Sequence, residues 1–254
     1  MPARNTTNFD ARKLTFTEAK PNKKGGNYAT MAYENEDGRV TFQLGAMPNE
    51  LLHTPFGVDD SNPQDPTSGK QVKLNLSPPA KTFLKRLEQA TLDAAEQHSV
   101  SWFKKKLTKD KIASLYNPIV KEDESGEYPD RIVLKVFDKG TQNISSELWT
   151  KVFVIKKKGD GYTREVEGTL ADVTPNSWLI PVVKVKSGVY FMNGKFGTSL
   201  VATALVVIME EGETSSSGGS GVDYENVVLV DKDAEMPEAE EGECCENDRL
   251  DCWS

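Results

Sequence analysis

The sequence predicts a mainly β fold, a Greek-key barrel or sandwich interrupted by a pair of helices and followed by an acidic tail. Three observations carry this. Apolar-alternating or β-branched runs follow one another at short spacing, helical periodicity is confined to about residues 78–117, and the charge changes sign near Met209.

The N-terminal stretch is polar apart from an alternating segment, Lys13 to Lys20, in which Leu14, Phe16 and Ala19 are expected to face inward. Two β-like runs follow, Tyr28–Tyr33 and Val40–Met47, and Asp37-Gly38 between them is a hairpin turn signal. Pro48 to Gly69 holds four prolines and little periodicity, which predicts a long flexible or functional loop. Ser77-Pro78-Pro79 opens the clearest helix, with a serine N-cap and proline in the first turn. Phe83, Leu84, Leu87, Ala90, Thr91, Ala94 and Ala95 then form one apolar stripe ending near His98. A shorter helix is predicted after Thr108, with Ile112, Leu115 and Tyr116 on one face and Asn117-Pro118 as its stop.

Beyond the acidic turn from Lys121 to Asp130, the pattern returns to period two. Strands are predicted near Arg131–Phe137, Leu148–Lys157, Thr163–Leu170, Trp178–Lys186, Val189–Met192 and Ser199–Met209, with hairpin turns at Lys156–Gly161 and Ser187-Gly188. Thr214 to Gly221 is a Ser/Gly linker. One domain is therefore expected over residues 1–212, with linker and tail over 213–254. In the tail, Val222 to Val230 is a brief apolar island that reads as a docking strand for a partner or for its own barrel; the rest is too charged to fold alone and is expected to be disordered.

The formal charge of −8 is the sum of two opposite regions. From Glu210 to Ser254 there are 15 acids and two bases, giving −13, which leaves 29 bases and 24 acids, or +5, for the first 209 residues. Such a tail is a solubiliser, a partner-binding segment, or an occupant of the body's basic surface when its anionic ligand is absent.

Several function classes fall away. The longest apolar run, Leu200 to Met209, is short for a bilayer span, and no signal-like leader is visible, so an intracellular protein without a membrane partner is expected. All three cysteines, Cys244, Cys245 and Cys252, lie in the tail, consistent with a reducing compartment. With only His53 and His98 and no cysteine in the body, no zinc site of ordinary spacing can be built there, and no metal or cofactor is expected. The body lacks a phosphate-binding glycine loop and a cysteine nucleophile, and Glu165/Glu167 read as a solvated strand face, so no enzyme is expected.

Aromatic residues interleaved with lysine do recur. Trp102 and Phe103 directly precede Lys104, Lys105 and Lys106. Lys135, Lys139, Lys151 and the turn Lys156, Lys157 and Lys158 surround Phe137, Trp149 and Phe153; from Arg131 to Lys158 there are seven bases and two acids. From Trp178 to Ser199 three lysines and no acid accompany Tyr190, Phe191 and Phe196. Such mixtures suit single-stranded nucleic acid, where cations neutralise phosphates and each stacked ring contributes about 1–3 kcal/mol whatever the base. Readers of duplex need instead a helix or ribbon bearing Arg, Asn or Gln. Trp178, Phe137 and Phe153 read as core residues of their strands.

Two segments carry a family resemblance. Ser101-Trp102-Phe103-Lys104-Lys105-Lys106, followed by Ile112 and Tyr116-Asn117-Pro118-Ile119, resembles the helical segment of the single-stranded DNA-binding proteins of large nucleocytoplasmic DNA viruses. Val189-Tyr190-Phe191-Met192-Asn193-Gly194-Lys195-Phe196-Gly197, preceded by Thr174-Pro175, is similar to the most characteristic stretch of that family. The family in turn resembles the replication single-stranded DNA-binding proteins of podovirus-type phages. The resemblance implies an OB-fold-like Greek-key barrel with inserted helices, and an acidic tail ending in an aromatic residue. Here Trp253 is penultimate, close to Asp248 and Asp251.

The resemblance further implies coating of single strands in viral DNA replication and recombination, in the host nucleus or at a viral replication site. The tail is then expected to recruit a replicative polymerase or primase-helicase. Trp102, Lys104–Lys106, Tyr190 and Lys195 are the site residues carried over from the family, and Lys135 and Lys156–Lys158 are added by charge clustering. DNA against RNA and a homodimer are left open. The alternative reading is an acidic-tailed β-sandwich chaperone of basic, histone-like proteins.

Overall fold

Five strands that are scattered along the sequence close into a ring in the computed structural model, which describes residues 4–6, 9–22, 25–33, 40–47, 50–60, 69–141, 144–158, 161–163 and 166–209. In chain order the N-terminal elements are β1 (Arg4–Asn5), β2 (Leu14–Phe16), β3 (Lys20–Pro21), β4 (Asn27–Ala29), β5 (Met31–Tyr33) and β6 (Thr41–Gln43). Next come β7 (Leu52–Thr54), β8 (Val58–Asp60) and β9 (Lys70–Asn75), then helices α1 (Pro78–Gln97), α2 (Ser99–Phe103) and α3 (Lys109–Leu115). The chain continues through β10 (Tyr116–Asn117), β11 (Val120–Lys121), β12 (Arg131–Val136), β13 (Lys151–Lys158), β14 (Gly161–Tyr162) and β15 (Val166–Gly168). Two long strands, β16 (Ser177–Met192) and β17 (Lys195–Met209), complete it.

The ring runs β7–β9–β12–β17–β16 and returns to β7. Neighbours are antiparallel except β12 and β17, which meet in parallel at Lys135 and Val201. Counted along the chain, the fourth strand of the ring therefore lies between the fifth and the first, the order of an OB-fold-like barrel. Strand alternation fills it: Leu52, Val72, Leu74, Ile132, Leu134, Leu179 and Leu205 are fully buried, each contributing roughly 1.5–3 kcal/mol.

The helical insertion lies between β9 and β12 and covers part of the core. Ser77 caps α1 as its sequence predicts, its hydroxyl accepting the Ala80 N–H at 3.4 Å. Phe83 on the buried stripe packs edge-on against Phe9, with ring centroids 4.7 Å apart, and meets Phe42 at the same distance. Glu88 is buried on this face, where it accepts the Val120 N–H at 2.9 Å and pairs with Lys85 at 3.2 Å, fixing β11 to the helix. α3 begins after Thr108, as its N-cap predicts.

The structure corrects some local readings. The stretch predicted as one loop, Pro48 to Gly69, contains β7 and β8 in its described part, because two three-residue strands carry too little periodicity to register. Ser187-Gly188 is not a hairpin turn. β16 runs through it with a register shift, and the turn lies instead at Asn193-Gly194, whose φ values of 52° and 72° suit a primed turn. The strand predicted over Thr163–Leu170 is the shorter β15, followed by a 3-10 turn at Leu170–Asp172. Asp37-Gly38, the Ser/Gly linker and the tail lie outside the described residues.

Candidate nucleic-acid interface

The hairpin of β16 and β17 extends past the ring, and glycine at two positions lets other strands join it. Gly188 has φ +82°, and a Cβ there would come within 2.1 Å of the Ala29 carbonyl oxygen, so only glycine allows β4 to pair at this point. Past the bulge, Val189 points into the core and Tyr190 outward, opposite Tyr28 on β4 and Gly197 on β17. At Gly197 a Cβ would lie 2.8 Å from the Asn117 carbonyl oxygen and 3.1 Å from the Tyr190 hydroxyl. Its absence lets β10 lie against β17.

That approach anchors the outer ring. Asn117 Nδ2 donates to the Tyr190 hydroxyl at 2.7 Å, and Lys121 Nζ donates to Asn117 Oδ1 at 2.9 Å. Tyr28, Tyr190 and Met192 thus share a groove of about 470 Å³ with Lys121, Lys135 and Lys186, alongside Gln71, Val133, Asn27 and Asn117. Among the described residues, no Asp or Glu lines it. Met192 is 58% exposed and so offers thioether and methyl surface beside the tyrosines. Partial burial lowers the Lys121 ammonium from its ordinary range, with Glu88 pulling the other way. Next to it, burial pushes the Tyr116 phenol well up, aided by Glu88 and Tyr190, so this hydroxyl stays neutral beneath the groove.

The sequence-derived site residues separate into groups. Tyr190 and Lys135 line the groove. Lys195 stands at the hairpin tip, its Nζ donating to the Ser114 carbonyl at 2.7 Å, and ties the hairpin to α3. Lys104, Lys105 and Lys106 are exposed on the link between α2 and α3, with Lys104 at φ 61° capping α2, and do not line the groove. Lys156, Lys157 and Lys158 belong to the far end of the hairpin pair β13–β14. Lys156 stands opposite Met209, nine residues along β17 from Leu200 at the groove, or roughly 30 Å of extended strand. Asp248, Asp251 and Trp253 lie outside the described residues.

Trp102 is corrected outright. It is 3% exposed, its indole N–H donates to the Thr17 carbonyl at 3.0 Å, and its ring packs against Phe16, His98, Phe103 and Phe191. A ring closed on all sides has no face for a base, so Trp102 is a core residue that pins α2 to the N-terminal segment. The opposite correction applies to Trp178, read from its strand as core, which is 48% exposed.

Sequence reasoning missed Tyr28, Lys121, Lys186 and Met192. Recognising Asn193-Gly194 as the hairpin turn would have placed Tyr190 and Met192 on one face of β16 by period two. Nothing local could have brought Tyr28 and Lys121 beside them, since their strands meet the hairpin only in the folded sheet.

No family model matches the chain, and no curated protein matches it significantly, so the narrower resemblance to the proteins of large nucleocytoplasmic DNA viruses rests on its motifs alone. Among solved structures, the single-stranded DNA-binding protein from bacteriophage Enc34 is similar at 10% identity and TM-score 0.38, over 82% of this chain and 96% of that chain. A C-terminal truncation of that protein is similar at 9% identity and TM-score 0.39, over 77% and 98% of the two chains. Its complex with single-stranded DNA gives 8% identity and TM-score 0.37, over 82% and 99%. At these scores the likeness is too distant to fix a function.

Proposed function

We propose that this protein binds single-stranded DNA through the Tyr28–Tyr190 groove and performs no catalysis. One observation carries the reading: residues far apart in sequence converge to place two tyrosines, a methionine and three lysines in one groove, with no carboxylate among the described residues that line it. Lysine ammonium groups neutralise successive phosphates while the rings accept unpaired bases, a combination that tolerates any sequence. The groove also includes Gln71 from the second strand of the ring and Val133 and Lys135 from the third, whose outer face is the one on which OB folds take oligonucleotides.

The same reading gives the tail a role. Fifteen acids and two bases beyond Met209 imitate a polyanion, and a Ser/Gly linker tethers them to the body. The tail competes with DNA for the basic groove and, when displaced, is free to recruit a replicative polymerase or primase-helicase. The setting is replication and recombination of a viral genome.

Fluorescence anisotropy of labelled oligo-dT, with duplex and RNA of equal length as controls, tests this. Binding of oligo-dT at low salt, weakened by Tyr190→Ala and Lys135→Gln and much stronger than duplex binding, is the expected result. Equal affinity for duplex, or no change in either variant, overturns it.

A further inference from the structure

We propose that the outer wall of the barrel carries a second base-stacking site, built on Trp178 and His53, for the same strand that occupies the groove; this rests on the groove reading above. Trp178 pairs with His53 on β7, and His53 pairs with Asn75 on β9, which stands opposite Arg131 on β12. Their chain neighbours Leu179, Leu52, Leu74 and Ile132 are fully buried, so alternation turns all four side chains outward in one row around the barrel. The row is held together. Asn75 Nδ2 lies 3.2 Å from His53 Nδ1, and the His53 and Trp178 rings are 5.1 Å apart, tilted by 52°.

The row is continuous with the groove. Arg131 lies two residues from Val133 on the same outer face of β12, and opposite Lys121, which lines the groove. From Val133, Trp178 is three strand spacings and one dipeptide step away, roughly 16 Å over the surface. That span is too long for a base already on Tyr190 but fits a site of ~4–16 nucleotides per barrel.

Charge favours nucleic acid over a protein on this wall. Of the carboxylates around Arg131, Asp130 is paired with Lys81 at 2.5 Å and Glu122 with Lys85 at 3.0 Å, while Asp59 is held by Lys73 at 2.7 Å; Glu124 and Glu127 lie on the turn that precedes Arg131. Past Trp178 the row meets Ile208 and then Ile155, which is buried in a second apolar cluster with Ile180 and Val206, so the exposed part of the row ends at Trp178. A ring nearly half exposed on a barrel wall, beside an imidazole and in one row with a guanidinium, is a stacking platform for an unpaired base.

Oligo-dT of two lengths tests the extension, about 5 nucleotides to stay within the groove and about 12 to reach the wall. Trp178→Ala is expected to weaken the longer oligonucleotide by about 5- to 150-fold, the factor that one stacked ring contributes, and to leave the shorter unchanged. Tyr190→Ala weakens both. Because Trp178→Ala also removes a contact of His53, the milder Trp178→Phe gives an independent reading: the fluorescence difference between wild type and this variant isolates Trp178. That difference signal is quenched by the longer oligonucleotide and not by the shorter. If Tyr190→Ala weakens both lengths while Trp178→Ala weakens neither and the difference signal is not quenched, the groove reading stands, the extension is wrong, and the wall is a protein contact. If neither length binds, both readings fall.

Discussion

Replacing the three groove lysines together, Lys121→Gln, Lys135→Gln and Lys186→Gln, removes three charges and keeps most of each stem. Glutamine is preferable to alanine because Lys186 Nζ lies 5.1 Å from the Phe137 ring centroid and its stem helps cover that ring. If each ammonium neutralises one phosphate of a single strand, each contributes about 0.7 to the slope of log K against log salt, so the triple variant is shallower by about 2. Between 50 and 200 mM salt that difference amounts to roughly 15- to 20-fold less loss of affinity than in wild type. The assay is anisotropy of an oligo-dT short enough to remain in the groove, titrated at four or more salt concentrations. Lys156–Lys158→Gln makes the same charge change nearly four Debye lengths (~30 Å) away at physiological salt, and leaves the slope unchanged. Equal slope changes in the two triple variants, or none in the groove variant, would refute the assignment of phosphate contacts to the groove.

Three further outcomes are expected. Trp102→Ala lowers unfolding free energy by about 3–5 kcal/mol, as deletion of a buried indole does, whereas Trp102→Phe keeps oligo-dT affinity within about twofold; a folded Trp102→Phe protein that no longer binds would restore the stacking role. Gly188→Ala costs roughly 1–2 kcal/mol from its positive φ alone and also forces β4 away from Tyr190, so urea denaturation and oligo-dT affinity fall together. The Asp130 carboxyl, held by its hydrogen bond from Lys81, titrates below the ordinary aspartate range. The stability it contributes is present above that range and is lost as pH falls through the depressed value; carboxyl NMR shows the titration moving up in Lys81→Gln, and no movement would break the link.

Much of the architecture was legible because local signals agreed with the fold. Ser77 and the stripe from Phe83 to Ala95 specify α1 by themselves, and the β-branched runs of β12, β13 and β17 mark strands wherever they pair. What failed were choices that only the assembled sheet makes. Gly188 and Gly194 both require positive φ, yet one sits in a bulge and the other in a turn, and their immediate sequence does not say which. Trp102 and Trp178 exchanged roles for the same reason. Trp102 lies on a five-residue helix whose burial depends on Thr17 and Phe191, and Trp178 sits in the run Ser177-Trp178-Leu179-Ile180, where alternation is too weak to give a face. The groove combines positions from Tyr28 to Met192, so composition revealed its chemistry and only the closure of the ring revealed its members.

Photo-crosslinking of a bromodeoxyuridine oligonucleotide to the full chain, followed by peptide mapping, tests most directly whether the groove is where the strand lies. Crosslinks at Tyr28, Tyr190 or Met192, lost in excess unlabelled oligo-dT, are the expected result. Crosslinks confined to peptides carrying Lys104–Lys106 or Lys156–Lys158, with none on either tyrosine, would contradict it.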